Sequence, residues 1–151
     1  MRFGFGCDHG GFELREPLIA ELVAAGHEVV DMGTQVCQRV DFPVFAGKVA
    51  QGVSSGELDR GVLVCGTGLG MALAANRYPE VRAVAVSESY SARMSRRHNV
   101  ANILCLGARV VGAGTAVEIL HAWLKEEFEG GKYAERLQMM RGGYKGVESG
   151  H

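Results

Sequence analysis

Five short apolar segments, each followed by a segment with helical spacing of apolar residues, run along the chain. This alternation favours a parallel sheet covered by helices on both faces, because parallel strands are joined by helical crossovers. The 22 glycines, about twice the usual ~7% share, are spread between these segments as turn residues. The predicted strands are 2–7, 27–32, 61–65, 81–87 and 103–106, and the predicted helices are 12–25, 45–53, 69–77, 89–97 and 113–128.

Composition and charge limit the functions open to the 151-residue chain. Its 47% apolar and 22% charged content predicts one domain, placed at 1–141, with a flexible C-terminal tail at 142–151. The net charge of −1 provides no field to recruit nucleic acid or an anionic membrane. No apolar run approaches the roughly 18 residues of a membrane span and no signal-peptide pattern is present, so we expect a cytoplasmic protein.

The cysteine pattern argues against disulfides and metal binding. Cys7, Cys37, Cys65 and Cys105 form no CxxC pair, and two of them lie in or at the end of apolar strand-like runs. Stapled secreted domains and zinc sites place their cysteines in loops or at short fixed spacings. We therefore predict free thiols in a reducing compartment and no metal site.

Polar residues follow the ends of the predicted strands. Ligands of doubly wound sheets bind beyond the carboxyl ends of the strands, so we expect these residues to gather there. They are Asp8 and His9 after the first strand, Asp41 after the second, 65–70 after the third and Arg109 after the fifth, with 96–99 after the fourth helix. The alternative is that these loops are polar only because loops are exposed.

The most distinctive segment is VLVCGTGLGM at 62–71, an apolar strand that ends on a thiol and precedes three alternating glycines at a helix start. Glycines let a backbone approach a ligand closely, and free N–H groups at a helix start attract negative charge, including that of a thiolate. The segment lacks the Gly-Lys-Ser/Thr of a Walker loop. Met71 stands where a dinucleotide loop has its third glycine and where a cysteine phosphatase has arginine.

A thiol beside a row of amide donors suits removal of a proton next to a carbonyl group. Negative charge then develops on the carbonyl oxygen, where preorganised N–H groups stabilise it. Cys65 is the candidate base, and the amides of 66–70 are the candidate donors. The alternative is that Cys65 is a buried, small apolar residue that ends a strand.

Six separated motifs carry a resemblance to a known family. They are GCDHGGFELR at 6–15, DMGT at 31–34, VDFP at 40–43, CGTGLGMALAANR at 65–77, RAVAVSESYSARMSRRHNVANIL at 82–104 and EGGKYAERL at 129–137. In this order they resemble the ribose-5-phosphate isomerase B and galactose-6-phosphate isomerase family, specifically its ribose-5-phosphate type. The resemblance implies cofactor-independent interconversion of D-ribose 5-phosphate and D-ribulose 5-phosphate through an enediolate.

The resemblance also implies an architecture. It is an α/β fold, a three-layer αβα Rossmann-like sandwich with a five-stranded parallel sheet in the order 2-1-3-4-5 and a C-terminal helical extension. The expected assembly is a homodimer or a tetramer of dimers with the active site shared between subunits, and neither metal nor organic cofactor is expected.

Individual residues receive roles from the same resemblance. Cys65 is expected to move the proton, Thr67 to assist with its hydroxyl and His98 to open the sugar ring. Expected substrate contacts are Asp8, His9, Asp41, Gly66, Gly68, Leu69, Gly70 and Asn99, with phosphate at Arg109, Lys132 and Arg136, some of them from the neighbouring subunit. Without the resemblance, His98 would belong to a solvated basic helix end, Asp8 would be a helix N-cap, and Lys132 and Arg136 would pair with Glu129 or Glu135.

Two departures from the family leave the substrate open. Phe42 stands where many relatives carry tyrosine, and Lys132 stands where arginine is common, although lysine cannot form a bidentate phosphate contact. The alternatives are another aldose phosphate (allose 6-phosphate, galactose 6-phosphate or a tetrose phosphate) and a non-catalytic sugar-phosphate-binding protein. A thiol redox protein is disfavoured because Cys65 has no resolving cysteine nearby in sequence.

The predicted helix at 113–128 has apolar residues on more than one face. Val117, Leu120, Leu124 and Phe128 form one stripe, and Ile119 and Trp123 lie off it. A second stripe indicates either a subunit contact or a helix that is buried on several sides.

Overall fold

The computed structural model describes residues 1–143, which alternate strands and helices along their length. The strands are β1 (Arg2–Cys7), β2 (Glu28–Asp31), β3 (Arg60–Cys65), β4 (Ala83–Ala85) and β5 (Ile103–Gly107). The helices are α1 (Arg15–Ala24), α2 (Phe42–Ser55), α3 (Leu69–Ala75), α4 (Ser89–Asn99), α5 (Ala113–Lys125) and α6 (Lys132–Gly142), and a 3-10 helix at His9–Leu14 precedes α1.

The five strands form one parallel sheet in the order β2-β1-β3-β5-β4. The predicted parallel sheet is confirmed, but the predicted order 2-1-3-4-5 is wrong at its last two positions. β5 has five buried residues and pairs with both β3 and β4, whereas β4 has only three residues, of which one is exposed. A short strand leaves few unpaired backbone groups at an edge, so β4 takes the edge and β5 the interior.

Helices cover both faces of the sheet, which confirms the three-layer sandwich. One core cluster joins β1, β3 and β5 to α1, α4 and α5 through Leu18, Leu22, Ala92 and Trp123. The opposite cluster packs α2 and α3 on the sheet through Val49 and Met71, among others. Burying apolar side chains on both faces explains why the strands are almost uniformly apolar.

The extra apolar stripe of α5 belongs to the core. Ile119 and Trp123 are both fully buried against the sheet, so the buried-helix alternative explains the pattern. The helix ends at Lys125 because the next residue, Glu126, takes an extended conformation, with φ of −89° and ψ of 144°. The chain then turns into α6, the helical extension that the resemblance implied.

Among residues 1–143, no helix combines the length and the apolar content needed to cross a bilayer. Most of the tail that we place at 142–151 lies outside the described residues, so the tail stays a prediction.

Candidate active site

The thiol of Cys65 lies at the carboxyl end of the middle strand of the sheet. Its backbone pairs with Gly107 on β5, while the preceding residue, Val64, pairs with Cys7 on β1. The side chain is 6% exposed, and its Sγ accepts a hydrogen bond from the N–H of Gly68 at 3.1 Å. An amide donor aimed at sulfur stabilises the thiolate form of the side chain, the form that acts as a base.

The loop after Cys65 turns back on the thiol through Gly68. Gly68 has φ of 81°, and a Cβ there would lie 3.0 Å from the backbone of Leu106, so the position requires glycine. Thr67 Oγ1 accepts the N–H of Leu69 at 3.2 Å, which leaves the hydroxyl proton of Thr67 free to be donated. Within residues 1–143, the N–H groups of Thr67 and Gly70 donate to no protein acceptor, so they are the best candidates to bind an oxyanion.

The loop after β1 packs beside the thiol loop. Asp8 is buried, and its carboxylate accepts the N–H of Gly11 at 3.0 Å, as an N-cap would. A Cβ on Gly10 would lie 3.1 Å from the backbone nitrogen of Gly66, which measures how closely the two loops approach. His9 Nδ1 accepts the N–H of Val40 at 3.2 Å, so Nε2 remains for a ligand.

Two further segments border the thiol loop. Asp41 precedes α2 with an exposed carboxylate that does not cap the helix, and a Cβ on Gly70 would lie 2.9 Å from the ring of Phe42. The backbone N–H of Arg109 donates to the carbonyl of Gly66 at 3.0 Å, and its guanidinium lies over the same glycine. One chain therefore assembles Asp8, His9, Asp41, the loop from Cys65 to Gly70, and Arg109.

His98 and Asn99 lie at the end of the sheet where the strands begin, opposite the carboxyl ends that carry the thiol loop. This location contradicts the expectation that 96–99 gather with the other polar loops. α4 runs back across the sheet and ends at Asn99, just before β5 begins. The carbonyl of Asn102 accepts the N–H of Gly61, at the start of β3. At ~3.3 Å per strand residue, the amino and carboxyl ends of β3 are roughly 16 Å apart. The end of such a helix lies near the amino ends of the strands. His98 therefore does not reach Cys65 within one chain.

A second cluster of side chains surrounds His98. The ring of Tyr133 stacks on the imidazole, with centroids 4.0 Å apart and an interplanar angle of 10°. The side chains of Lys132 and Arg136 lie over Tyr133, at 5.2 Å and 5.5 Å from its centroid. Glu129, a partner of these two cations only in the alternative that sets the resemblance aside, bonds Arg97 at 2.7 Å and lies 3.3 Å from His98.

Sequence reasoning gave no role to Tyr133 and missed the partners of Glu129. Their only sequence signal is the motif EGGKYAERL, which places an aromatic residue between two cations. Arg96, predicted to gather with the polar loops, is instead 6% exposed; its Nη1 donates to the carbonyl of Ala101, and its guanidinium lies over Trp123. At the basic end of α4, Arg96 therefore packs into the core, whereas His98 contacts α6.

The four thiols have different surroundings, which predicts their reactivity. Burial, together with Asp31, raises the pKa of Cys7 to about 12, and burial likewise raises the pKa of Cys105. Cys37 is exposed, whereas Cys65 is 6% exposed at the start of the thiol loop. With iodoacetamide at about pH 8, we expect carbamidomethylation of Cys37 first and Cys65 second, and none of Cys7 or Cys105 until the chain is unfolded. Peptide mass spectrometry measures this order, and early labelling of Cys7 would contradict it.

Comparison with known proteins identifies the family. The model of the Ribose/Galactose Isomerase family matches residues 3–140. Ribose-5-phosphate isomerase B of Escherichia coli is 47% identical over 137 residues, 91% of this chain and 92% of that protein. The structure of ribose-5-phosphate isomerase B from Clostridium thermocellum has a TM-score of 0.89 and 51% identity, covering 91% of this chain and 93% of that one.

A more distant relative carries a different activity in its name. D-erythrulose-4-phosphate isomerase of Pectobacterium atrosepticum is 34% identical over 139 residues, 91% of both chains. The family model matches nearly the whole chain, and the structural neighbour shares its fold. This chain is an isomerase that belongs to the ribose/galactose isomerase family.

Proposed function

We propose that this chain is a sugar-phosphate isomerase that interconverts D-ribose 5-phosphate and D-ribulose 5-phosphate through a cis-enediolate. The observation that carries the proposal is Cys65 at the end of β3, with an amide donating to its sulfur and further amides in the same loop. The activities named for the Escherichia coli and Clostridium thermocellum relatives support the choice of substrate.

The proton moves between side chains and substrate without a change in the overall oxidation state. The thiolate of Cys65 takes the proton from C2 of the open aldose, and the electron pair shifts to give an enediolate. The N–H groups of Thr67 and Gly70 stabilise the new oxyanion, and the Thr67 hydroxyl exchanges the proton between O1 and O2. The thiol then returns its proton to C1, which gives the ketose and restores the thiolate. No metal or organic cofactor takes part in this sequence.

Positive groups hold the other end of the substrate. Arg109 lies at the thiol loop, and its guanidinium is exposed and able to bind a phosphate in bidentate fashion. Lys132 and Arg136 supply further positive charge from α6. Asp8, His9, Asp41 and Asn99 are assigned to the sugar hydroxyls and the phosphate. Lys132 contributes a point charge rather than a planar fork, so Arg136 and Arg109 set the orientation of the phosphate.

A second copy of the chain completes the site in this proposal. His98 opens the ring, yet it lies with Lys132 and Arg136 at the opposite edge of its own sheet, so these groups come from the partner of a homodimer. The thiol side of the chain carries exposed apolar residues suited to an interface: Val44, Leu69 and Leu73 are 55%, 60% and 74% exposed. A two-fold axis would complete two sites at once. A tetramer of such dimers is compatible with the same sharing.

Hydrogen exchange at carbon distinguishes an isomerase from a binding protein. In heavy water, we expect the chain to introduce deuterium at C2 of ribose 5-phosphate while forming ribulose 5-phosphate, because the proton on Cys65 exchanges with solvent between transfers. NMR of the recovered sugar measures the label. A chain that binds ribose 5-phosphate but neither isomerises nor labels it would be a sugar-phosphate-binding protein, and the proposal would fall.

A tetrose phosphate is the second candidate substrate. Phe42 places an apolar ring against Gly70, where a hydroxyl group would offer a hydrogen bond, and the relative from Pectobacterium atrosepticum is named for a four-carbon substrate. The same exchange assay with erythrose 4-phosphate, allose 6-phosphate and galactose 6-phosphate ranks the candidates by kcat/KM. A higher value for any of them than for ribose 5-phosphate would replace the substrate and leave the chemistry unchanged.

A further inference from the structure

Tyr133 lies at the centre of the cluster around His98, at the end of the sheet where the strands begin. Its ring lies face to face with His98, at 4.0 Å and 10°, and joins α6 to the end of α4. Such nearly parallel contact at short distance fixes both the position of the imidazole and the tilt of its plane. The imidazole therefore has little freedom to rotate away from one orientation.

Glu129 fixes the same imidazole from its edge. Its Oε2 lies 3.3 Å from His98 Nε2 and accepts a hydrogen bond from Arg97 Nε at 2.7 Å. The backbone N–H of Glu129 also donates to the carbonyl of Arg97 at 3.0 Å. The carboxylate is thus held by the same helix end that carries His98, and it lies against the edge of the imidazole.

The face of Tyr133 also gathers two cations. Lys132 Nζ and Arg136 Cζ lie 5.2 Å and 5.5 Å from its centroid, within the range of cation–π attraction. Across residues 1–143, neither cation forms an ion pair with a carboxylate, so their charge is available to an anion. One aromatic ring therefore sets the spacing between the imidazole and two unneutralised positive groups.

Little else holds the start of α6 in place. No residue of α6 is buried, and within the described chain α6 packs mainly on α4. Its far end is tied by Arg141, whose guanidinium bonds Glu80 at 2.8 Å. The stack of Tyr133 on His98 is therefore the main side-chain link at the end of α6 that carries Lys132 and Arg136.

We propose that Tyr133 is a positioning residue that holds the ring-opening imidazole and the phosphate-binding cations as one preassembled unit, which each chain supplies to its partner. This inference rests on the proposed function of His98, Lys132 and Arg136. It assigns Tyr133 no contact with the reacting atoms. The aromatic ring, and not the phenol hydroxyl, carries the effect, because the stack and the two cation contacts all use the ring face.

Three variants test the proposal. Tyr133→Leu removes the ring, Tyr133→Phe keeps the ring without the hydroxyl, and Arg141→Gln releases the other end of α6 as a matched control. For ribose 5-phosphate, we expect Tyr133→Leu to lower kcat by about tenfold to a hundredfold and to raise KM severalfold, since a misplacement of about 1 Å costs this much. Tyr133→Phe and Arg141→Gln should stay within about twofold of the native values.

A spectroscopic measurement separates positioning from a general loss of structure. The ring current of Tyr133 shifts the carbon-bound protons of the His98 imidazole upfield, and NMR of the chain labelled at histidine records this shift. The shift should persist in Tyr133→Phe and Arg141→Gln and vanish in Tyr133→Leu, with unchanged far-UV circular dichroism throughout. Native kinetics in a folded Tyr133→Leu, or an equal loss in Tyr133→Phe, would overturn the proposal. If the native chain fails to isomerise ribose 5-phosphate, the proposed function fails instead, and the imidazole shift still tests the stack.

Discussion

Replacing Cys65 by alanine is expected to lower kcat/KM for ribose 5-phosphate by about a thousandfold or more, because removal of a general base costs 10²–10⁴-fold or so. The chain should remain folded, since alanine retains the β-carbon and removes a single sulfur atom from the carboxyl end of β3. Spectrophotometric detection of ribulose 5-phosphate measures the rate, and far-UV circular dichroism with a thermal melt checks the fold.

Two further cysteine variants serve as comparisons for Cys65→Ala. Cys37→Ala removes an exposed thiol and should leave the rate within about twofold of the native chain. Cys65→Ser keeps the shape of the side chain but replaces the thiol by a hydroxyl that ionises far less readily, so it should lose nearly as much activity as alanine. If Cys65→Ala kept a tenth of the native rate or more, another group would be the base, and the role given to the sulfur would be wrong.

The layers of the fold could be predicted from sequence, because each strand is an apolar run bounded by turn residues. The order of the strands could not, since it depends on which strand can be buried between two neighbours. The predicted lengths favoured the wrong order, because 81–87 was predicted to be longer than 103–106, whereas β4 spans only three residues and β5 spans five. Helix ends were similarly approximate, and α5 stops at Lys125 because Glu126 is extended, a backbone choice that the apolar spacing of Val117, Leu120 and Leu124 does not reveal.

The thiol side of the site could also be predicted, because the loops that follow parallel strands meet at one edge. Asp8, His9, Cys65 and Arg109 lie there for that reason. His98 was placed wrongly in space because it lies in the last turn of a helix, where the chain has returned to the end of the sheet at which the strands begin. Tyr133 could not be found, since its stack on His98 depends on how α6 packs against α4, a contact between segments more than thirty residues apart.

The two clusters are complementary in what each lacks. In the proposed mechanism, the thiol loop supplies the base Cys65, the hydroxyl of Thr67 and Arg109, whereas the ring-opening His98 lies at the other end of the strands. The cluster at that end contains His98 with the cations Lys132 and Arg136, and it lacks the thiol. The two clusters lie at opposite ends of the strands, separated by the length of β3. The side chains of one cluster therefore do not reach those of the other within one chain. In the proposed dimer, Cys65 of one copy and His98 of the other lie in the same site, which then contains both groups.

Two inactive variants are therefore expected to restore activity when their subunits are mixed. Cys65→Ala and His98→Gln should each be nearly inactive alone, whereas random mixing of equal amounts makes half of the dimers mixed, each with one intact site, or roughly a quarter of native activity. Native mass spectrometry confirms subunit exchange after co-refolding. Mixing Cys65→Ala with Cys65→Ser is the matched control and should restore nothing, because every site then lacks its thiol. Mixed dimers that remain inactive would show that Cys65 and His98 do not act across a subunit interface.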